Sequence, residues 1–401
     1  MTVMEKGAVL SGVGKSKIGR GVGQTPLRLT ITSCLAAMED AGLTRDDIDG
    51  VSTWPGAAEH SPGYSGRIGV YELQDALRLK LNWYSGGQET PGQLGALINA
   101  IMAVSSGLAD NVLCFRTLWE SSAQGLGTRA TALSVYYGGE ERRARPGLFE
   151  WGLPYGQLSG STWFAMYAQR YFSLYGCTRE QLAGVALNAR HNAAGNPDAV
   201  FRQPMTLDDY MQARIISSPL CLFDCDMPID GSTAVIVSRA GSPSRFRQAP
   251  VQVEAVGSAF HGRSPYGHLE DITRTASHDA ADMLWSRTDL KPADVDFAEV
   301  YDGYSISTLH WLEALRFCGK GEAGAFVEGG VRIGRDGEMP IATDGGQLSG
   351  GRLHGYGYLF EAVRQLRGDA GGTQLQRRPE VGVVGVGGGP HAGAVLLSRP
   401  A

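Results

Sequence analysis

The chain has 401 residues, is 43% hydrophobic and 19% charged, and carries a formal net charge of −5. At about 150 residues per domain that length holds two to three folding units with a large core; a mainly disordered chain, which needs low hydrophobicity and high charge, is excluded. The acidic balance argues against a nucleic-acid binder, whose footprint is basic, and 56 glycines, about twice the usual ~7% share, imply many tight turns and close backbone approaches.

Ala8-Val9-Leu10-Ser11-Gly12 reads as a short buried strand ending at glycine. Thr25-Pro26 looks like an N-cap with proline at the first helical position, and Gly42 stops the helix that follows. An acidic turn, Thr44 to Asp49, leads to Val51. The same grammar returns 245 residues later: Val251 to Gly257 is a strand into glycine, Asp271 to Trp285 is helical in pattern, Asp289 to Asp296 repeats the acidic turn, and Phe297 to Val300 is the next strand. Gly86-Gly87-Gln88, a helix at 93–106 and a strand at Asn111–Phe115 match Gly345-Gly346-Gln347, a helix at about 357–367 and a strand at Val381–Val386. Four elements recurring in one order imply a duplicated α/β unit about a pseudo-two-fold axis.

Residues 120–220 interrupt this pattern and carry Trp151, Tyr155, Trp163, Tyr167, Tyr171 and Tyr175, most of them on a helix at Ser161–Tyr175. One reading is an α-helical insertion with its own core; the other is the wall of an apolar substrate pocket. Six scattered cysteines, with Cys221 and Cys225 forming a single C-x3-C, make neither a disulfide framework nor a metal site. Without an apolar leader or a run of 18 apolar residues, a reduced, cytoplasmic protein with no membrane span is expected.

Four segments carry candidate chemistry. The loop Gly12 to Gly19 lacks the G-x-G-x-x-G spacing of a dinucleotide site. Glu299-Val300-Tyr301-Asp302-Gly303-Tyr304 lies where a strand ends and a helix, about 304–317, begins; such strand ends host ligands, and a tyrosine there can give or take a proton. Alternatively it is a capping turn with a packed tyrosine. The loop Gly345 to Gly357 sets Gln347, Ser349, Arg352, His354 and Tyr356 among glycines, a supply of donors and one imidazole beyond what a helix entry needs. Gly387-Gly388-Gly389-Pro390-His391 is either a tight hairpin turn or, with its N–H groups and His391, an oxyanion site.

Together, the duplicated α/β core and the glycine loops in this order resemble the thiolase superfamily, and within it the lipid-transfer-protein branch related to sterol-carrier-protein thiolases. Tyr155-Gly156-Gln157, Tyr167 to Tyr171, Ser218-Pro219-Leu220 and Asp230 to Ala234 extend the match over nearly the whole chain. The resemblance implies a duplicated thiolase-like fold layered α-β-α-β-α, with an N-terminal half at 1–245 that includes an α-rich insertion at about 120–220, and a C-terminal half at 246–401.

The family's nucleophilic cysteine precedes the first long helix, where this chain has Glu89 or Thr90, and no cysteine lies between Cys34 and Cys114. Covalent thioester chemistry needs a thiolate, so the family's usual route is not expected. Tyr301 stands at the histidine of the H-D-C-F-S turn, Arg352 near the histidine of the G-H-P loop, and Val386 or Gly387 at the catalytic position of the last loop. Thiolase-like retro-aldolases that shorten steroid side chains on CoA show the same loss, use tyrosines for proton transfer, and pair with a small OB-fold, zinc-ribbon protein. The chain resembles them in Tyr301 and departs from them at Arg352.

That resemblance implies a lyase cleaving a bulky β-hydroxyacyl-CoA to a ketone or aldehyde and a shortened acyl-CoA, with the CoA thioester as substrate and no metal or redox cofactor. Tyr301 and His354 are assigned the proton transfers, with Tyr356 as an alternative second group and Asp302 orienting the Tyr301 turn. Gln347, Ser349, Arg352, Gly388, His391 and Glu89 are assigned to substrate binding. The competing readings are an acyltransferase or Claisen-type enzyme using a group such as Glu89, and a non-catalytic acyl-CoA-binding subunit. Expected partners are a second copy, joined through residues 93–115, and the OB-fold protein in a heterotetramer.

Overall fold

The computed structural model describes residues 3–58, 61–124, 159–241, 245–261 and 270–399. Its strands are β1 (Ala8–Lys15), β2 (Gly50–Thr53), β3 (Trp83–Gly86), β4 (Asn111–Trp119), β5 (Ile215–Ser217), β6 (Leu220–Cys221), β7 (Asp230–Arg239), β8 (Val251–Phe260), β9 (Phe297–Val300), β10 (Val381–Gly388) and β11 (His391–Ser398). The helices are α1 (Pro26–Ala41), α2 (Val70–Leu77), α3 (Gly95–Ser105), α4 (Glu120–Gln124), α5 (Gly160–Tyr175), α6 (Arg179–Ala193), α7 (Leu207–Met211), α8 (Ala276–Ser286), α9 (Ser305–Ala314), α10 (Ala323–Val327) and α11 (Tyr356–Arg367). Trp151 and Tyr155 lie outside the described residues.

Nine strands hydrogen-bond in the order β3-β2-β4-β7-β1-β8-β11-β10-β9. The β1–β8 junction is narrow: Val9 faces Gln252 and Leu10 faces Val251. Outward from it, the two sides have the same plan. One runs β1-β7-β4-β2-β3. The other runs β8-β11-β10-β9, and an isolated parallel bridge from Ala298 to Ile341 takes the place of β3. β4 alternates its faces, as strands must: Leu113 and Phe115 join the core under α1, whereas Val112 and Cys114 join the core with α3 and Tyr356. The helix α11 packs on β1 and β7 and also on β9 and β10, while α8 covers β8 and β11. The result is the expected five-layer order, with α3 and α11 in the middle.

Two expectations about glycine need correction. Gly12 and Gly257 do not end their strands; β1 continues to Lys15 and β8 to Phe260. A Cβ at Gly12 would lie 2.3 Å from the Ala37 carbonyl oxygen, and one at Gly257 2.0 Å from that of Ala280. Glycine is there because a helix crosses the strand at backbone contact. The second-half helix also starts later than its pattern, at Ala276, because Asp271 accepts from Thr273 N (2.9 Å) and pairs with Lys320 (2.8 Å), holding that segment as a turn.

The repeated acidic turn has one job in both halves. Asp49 accepts from Asn111 N at 2.8 Å, at the start of β4. Asp296 accepts from Val381 N at 3.0 Å, at the start of β10.

Among the described residues, the insertion has no separate core. Tyr167 and Tyr171 on α5 are fully buried in the same cluster as the second-half strands, and Tyr171 OH donates to Glu313 on α9. The expected dimer segment is also corrected. β4 is interior, flanked by β2 and β7, so a second copy cannot pair with it. Among the described residues, the strand with an unpaired edge in the first half is β3.

Candidate active site

β9 delivers Tyr301 to the end of the sheet, where its N–H donates to Gly385 O (2.8 Å). The ring folds back over its own turn: a Cβ at Gly303 would come within 2.5 Å of it. Asp302, 1% exposed, accepts from Gln347 N (2.9 Å), Leu348 N (3.4 Å) and Tyr358 OH. Burial pushes its carboxyl up to about 6, against the pull of those donors.

The glycine-dense loop after Gly345 opens with a π-helical turn, Gly346–Gly350. A Cβ at Gly346 would strike the Asp302 carboxyl at 2.2 Å, so glycine lets the loop sit on that acid. Gln347 Oε1 accepts from His354 N (2.9 Å), and Ser349 Oγ accepts from Arg190 Nε (3.0 Å). Arg352 is buried between Glu120, which opens α4 just after β4, and Asp226 (3.0 Å). Its charge reaches Tyr301 electrostatically. His354 Nδ1 lies 2.9 Å from Arg116 Nη2, and its ring meets Tyr64 and Trp54 at centroid distances of 5.1 and 5.9 Å.

The structure therefore gathers Tyr301, Asp302, Gln347, Arg352 and His354 into one buried polar network, with Ser349 tied to its rim. Tyr356 is apart from it. The ring is fully buried beside Cys114 and Arg116, its hydroxyl has no hydrogen-bond partner among the described residues, and burial drives its phenol well above the ordinary range. That environment favours the neutral phenol.

The last glycine segment is a hairpin: Gly388 pairs with His391 across a Gly389-Pro390 tip. Burial lowers the His391 pKa, and a Cβ at Gly92 would lie 3.3 Å from its ring, so this hairpin adjoins the 87–92 loop. Phe164 on α5 stacks on Tyr304 (4.5 Å, 20°) and would lie 3.9 Å from a Cβ at Gly388. Thus, among the described residues, Phe164 and not Tyr167 or Tyr171 is an aromatic of the insertion beside the loops. Glu89 is exposed.

Several partners escaped the sequence reading: Arg116, Glu120, Asp226, Tyr64, Trp54 and Tyr358. Arg116 did leave a signal, a lone cation inside the apolar run Asn111–Trp119, since buried charges are rare without a purpose. Asp226 and Tyr64 sit in loops whose meeting is set by the tertiary fold. Of the thiols, burial raises Cys34 and Cys114 far above their ordinary value, Cys177 and Cys318 to about 12, and Cys221 to about 11, so none of these five is a ready thiolate.

A thiolase-type double α/β fold with no cysteine between Cys34 and Cys114, and with a tyrosine at the end of β9, defines the class. Residues 258–398 match the thiolase C-terminal domain-like family. The chain is 34% identical to a 17-hydroxy-3-oxo-4-pregnene-20-carboxyl-CoA lyase of Mycobacterium tuberculosis, over 90% of this chain and 92% of that one. It is 33% identical to a steroid side-chain-cleaving aldolase of Thermomonospora curvata, over 92% of each. A solved Ltp2-ChsH2(DUF35) aldolase superposes with a TM-score of 0.84 at 29% identity, covering 99% of both chains. The chain belongs to the thiolase superfamily, in its branch of thiolase-like aldolases. No helix among the described residues is long and apolar enough to cross a membrane.

Proposed function

We propose that the protein is a carbon–carbon lyase that cleaves a bulky β-hydroxyacyl-CoA, of the steroid side-chain type, by retro-aldol chemistry. Tyr301 takes the β-hydroxyl proton. The Cα–Cβ bond breaks, the carbonyl product leaves, and the electron pair becomes a thioester enolate. A proton returned to Cα gives the shortened acyl-CoA. Arg352 offers a positive charge to a Tyr301 phenolate, Asp302 anchors the turn, and His354 is the second polar group, reached through Gln347. Gly388 and His391 are assigned to substrate binding at the hairpin tip, with their own N–H groups committed to the strand pairing. No step calls on a metal or redox cofactor. The observation that carries this reading is the position of Tyr301: on the strand end where the family has histidine, beside a buried cation, in a chain with no cysteine between Cys34 and Cys114.

The bulky acyl group is supported by Phe164 and Tyr304 stacked beside the hairpin. A small OB-fold, zinc-ribbon partner is supported by the solved relative, an Ltp2 aldolase paired with ChsH2(DUF35). A homodimer through β3 is supported by its open edge and by exposed Tyr84 and Tyr71, whose rings lie 6.4 Å apart. A cytoplasmic location follows from the same reading.

The test is cleavage of a β-hydroxyacyl-CoA by the chain co-expressed with its partner, with both products followed by mass spectrometry. Tyr301→Phe is expected to lower kcat by about 10²–10⁴ with the fold intact. Unchanged turnover in that variant would sink the assignment.

A further inference from the structure

Arg116 lies mid-strand in β4 and is 1% exposed. Its Nη1 donates to Thr117 O (2.8 Å), its Nη2 lies 2.9 Å from His354 Nδ1, and its plane sits over Tyr64 (4.8 Å) and Trp54 (5.2 Å). No carboxylate among the described residues pairs with it directly. Burial pulls its pKa down to about 10, which leaves it charged at neutral pH. The other titratable or charged groups in reach of this cation are Glu120, Arg352, Tyr64 and Tyr356; Asp302 connects to His354 through Gln347.

A guanidinium has five donors and no acceptor. The Nδ1 atom facing it must present a lone pair, and the single N–H of the neutral ring then sits on Nε2. A second proton, at Nδ1, would point into the cation. His354 itself is held at φ +50°, a conformation side chains adopt mainly when surroundings enforce it, and the Gln347 side chain enforces it by accepting the backbone N–H.

We propose that Arg116 is a positioning residue that locks His354 in its Nε2–H tautomer, so that His354 serves as a hydrogen-bond donor and not as a proton acceptor. The lock rests on the aldolase reading only for its target, the developing enolate oxygen. Proton removal then falls to Tyr301, and the first half of the chain supplies the element that prepares a second-half donor.

The experiment is selective ¹⁵N-histidine labelling of the full chain with its partner, with His354 assigned by its loss in His354→Gln. Wild type is expected to show bare Nδ1, protonated Nε2 and no titration between about pH 6 and 8. Arg116→Met should release the lock, giving mixed tautomers or a titrating ring. Its kcat should fall at least about 10-fold with KM within about 3-fold, and Arg116→Lys should restore part of the loss. A protonated Nδ1 in wild type, or an Arg116→Met variant with the same tautomer and kcat, would overturn the proposal. If Arg116→Met does not fold, the wild-type spectrum alone decides. A locked tautomer in a protein that cleaves no β-hydroxyacyl-CoA would sink the aldolase reading and leave the lock standing.

Discussion

The two halves share a plan and divide the labour. In each, a glycine lets a helix cross the innermost strand, and an aspartate ties down the start of a later strand. They differ in what joins the last two strands: residues 120–229 between β4 and β7, but only Gly389-Pro390 between β10 and β11. They also differ in what the equivalent strands bury. β2 carries Ser52 where β9 carries Glu299, both fully buried. The first half contributes Arg116, Trp54 and Tyr64; the second contributes Tyr301, Asp302, Gln347 and His354. A duplicated scaffold can thus keep its backbone rules while each copy specialises its buried charges, and the site forms only where the two sets meet.

The shared backbone rule is tested most severely at the crossing glycines. Gly12→Val and Gly257→Val should each cost about 3 kcal/mol or more, since no rotamer change relieves a clash with backbone oxygen. Urea unfolding measures this, and a large loss at one position with none at the other would break the equivalence. The strand anchors come next. Asp49→Asn and Asp296→Asn should each lose about 1.5–3 kcal/mol and be additive in the double variant, the sites being far apart in the sheet. Non-additive losses would show that the halves do not stabilise independently.

The smallest effect sharpens the difference. Burial, then the neighbouring Glu361 carboxyl, raises Asp344 to about 7, and burial raises Glu299 as well. An acid whose folded pKa exceeds its unfolded one binds its proton more tightly when folded, so it adds stability as pH falls through the folded value and loses it as pH rises. For Asp344 this amounts to about 1.4 kcal/mol between pH 8 and 6. Asp344→Asn should lessen the slope of the melting-temperature profile in that window, leaving the parts due to Glu299 and Asp302. An unchanged slope would place the pH dependence elsewhere.

Much of the frame is legible in the residues alone. Thr25 and Gly42 bound α1 as expected, with Thr25 accepting from Arg28 N (3.3 Å) and Gly42 left-handed, because caps are local chemistry. The repeat, the tyrosine at the strand end and the missing cysteine are equally plain. Other features mislead. Gly12 and Gly257 look like strand ends, because a glycine used for close packing and a glycine used for turning are the same letter. The aromatic insertion looks self-contained, yet Tyr171 finds its partner, Glu313, 142 positions away.

By itself, then, the sequence determined the element order, the duplication, and which reactive groups were present or lost, since periodicity, capping and residue chemistry act over a few neighbouring positions. Only the tertiary structure decided which of those groups meet. Arg116 and His354 stand 238 residues apart and share a hydrogen bond, and Arg352 is held by Glu120 and Asp226 from two other segments. A buried charge is placed by the cost of leaving water, and the partners that offset that cost are chosen by how the layers pack, not by distance along the chain.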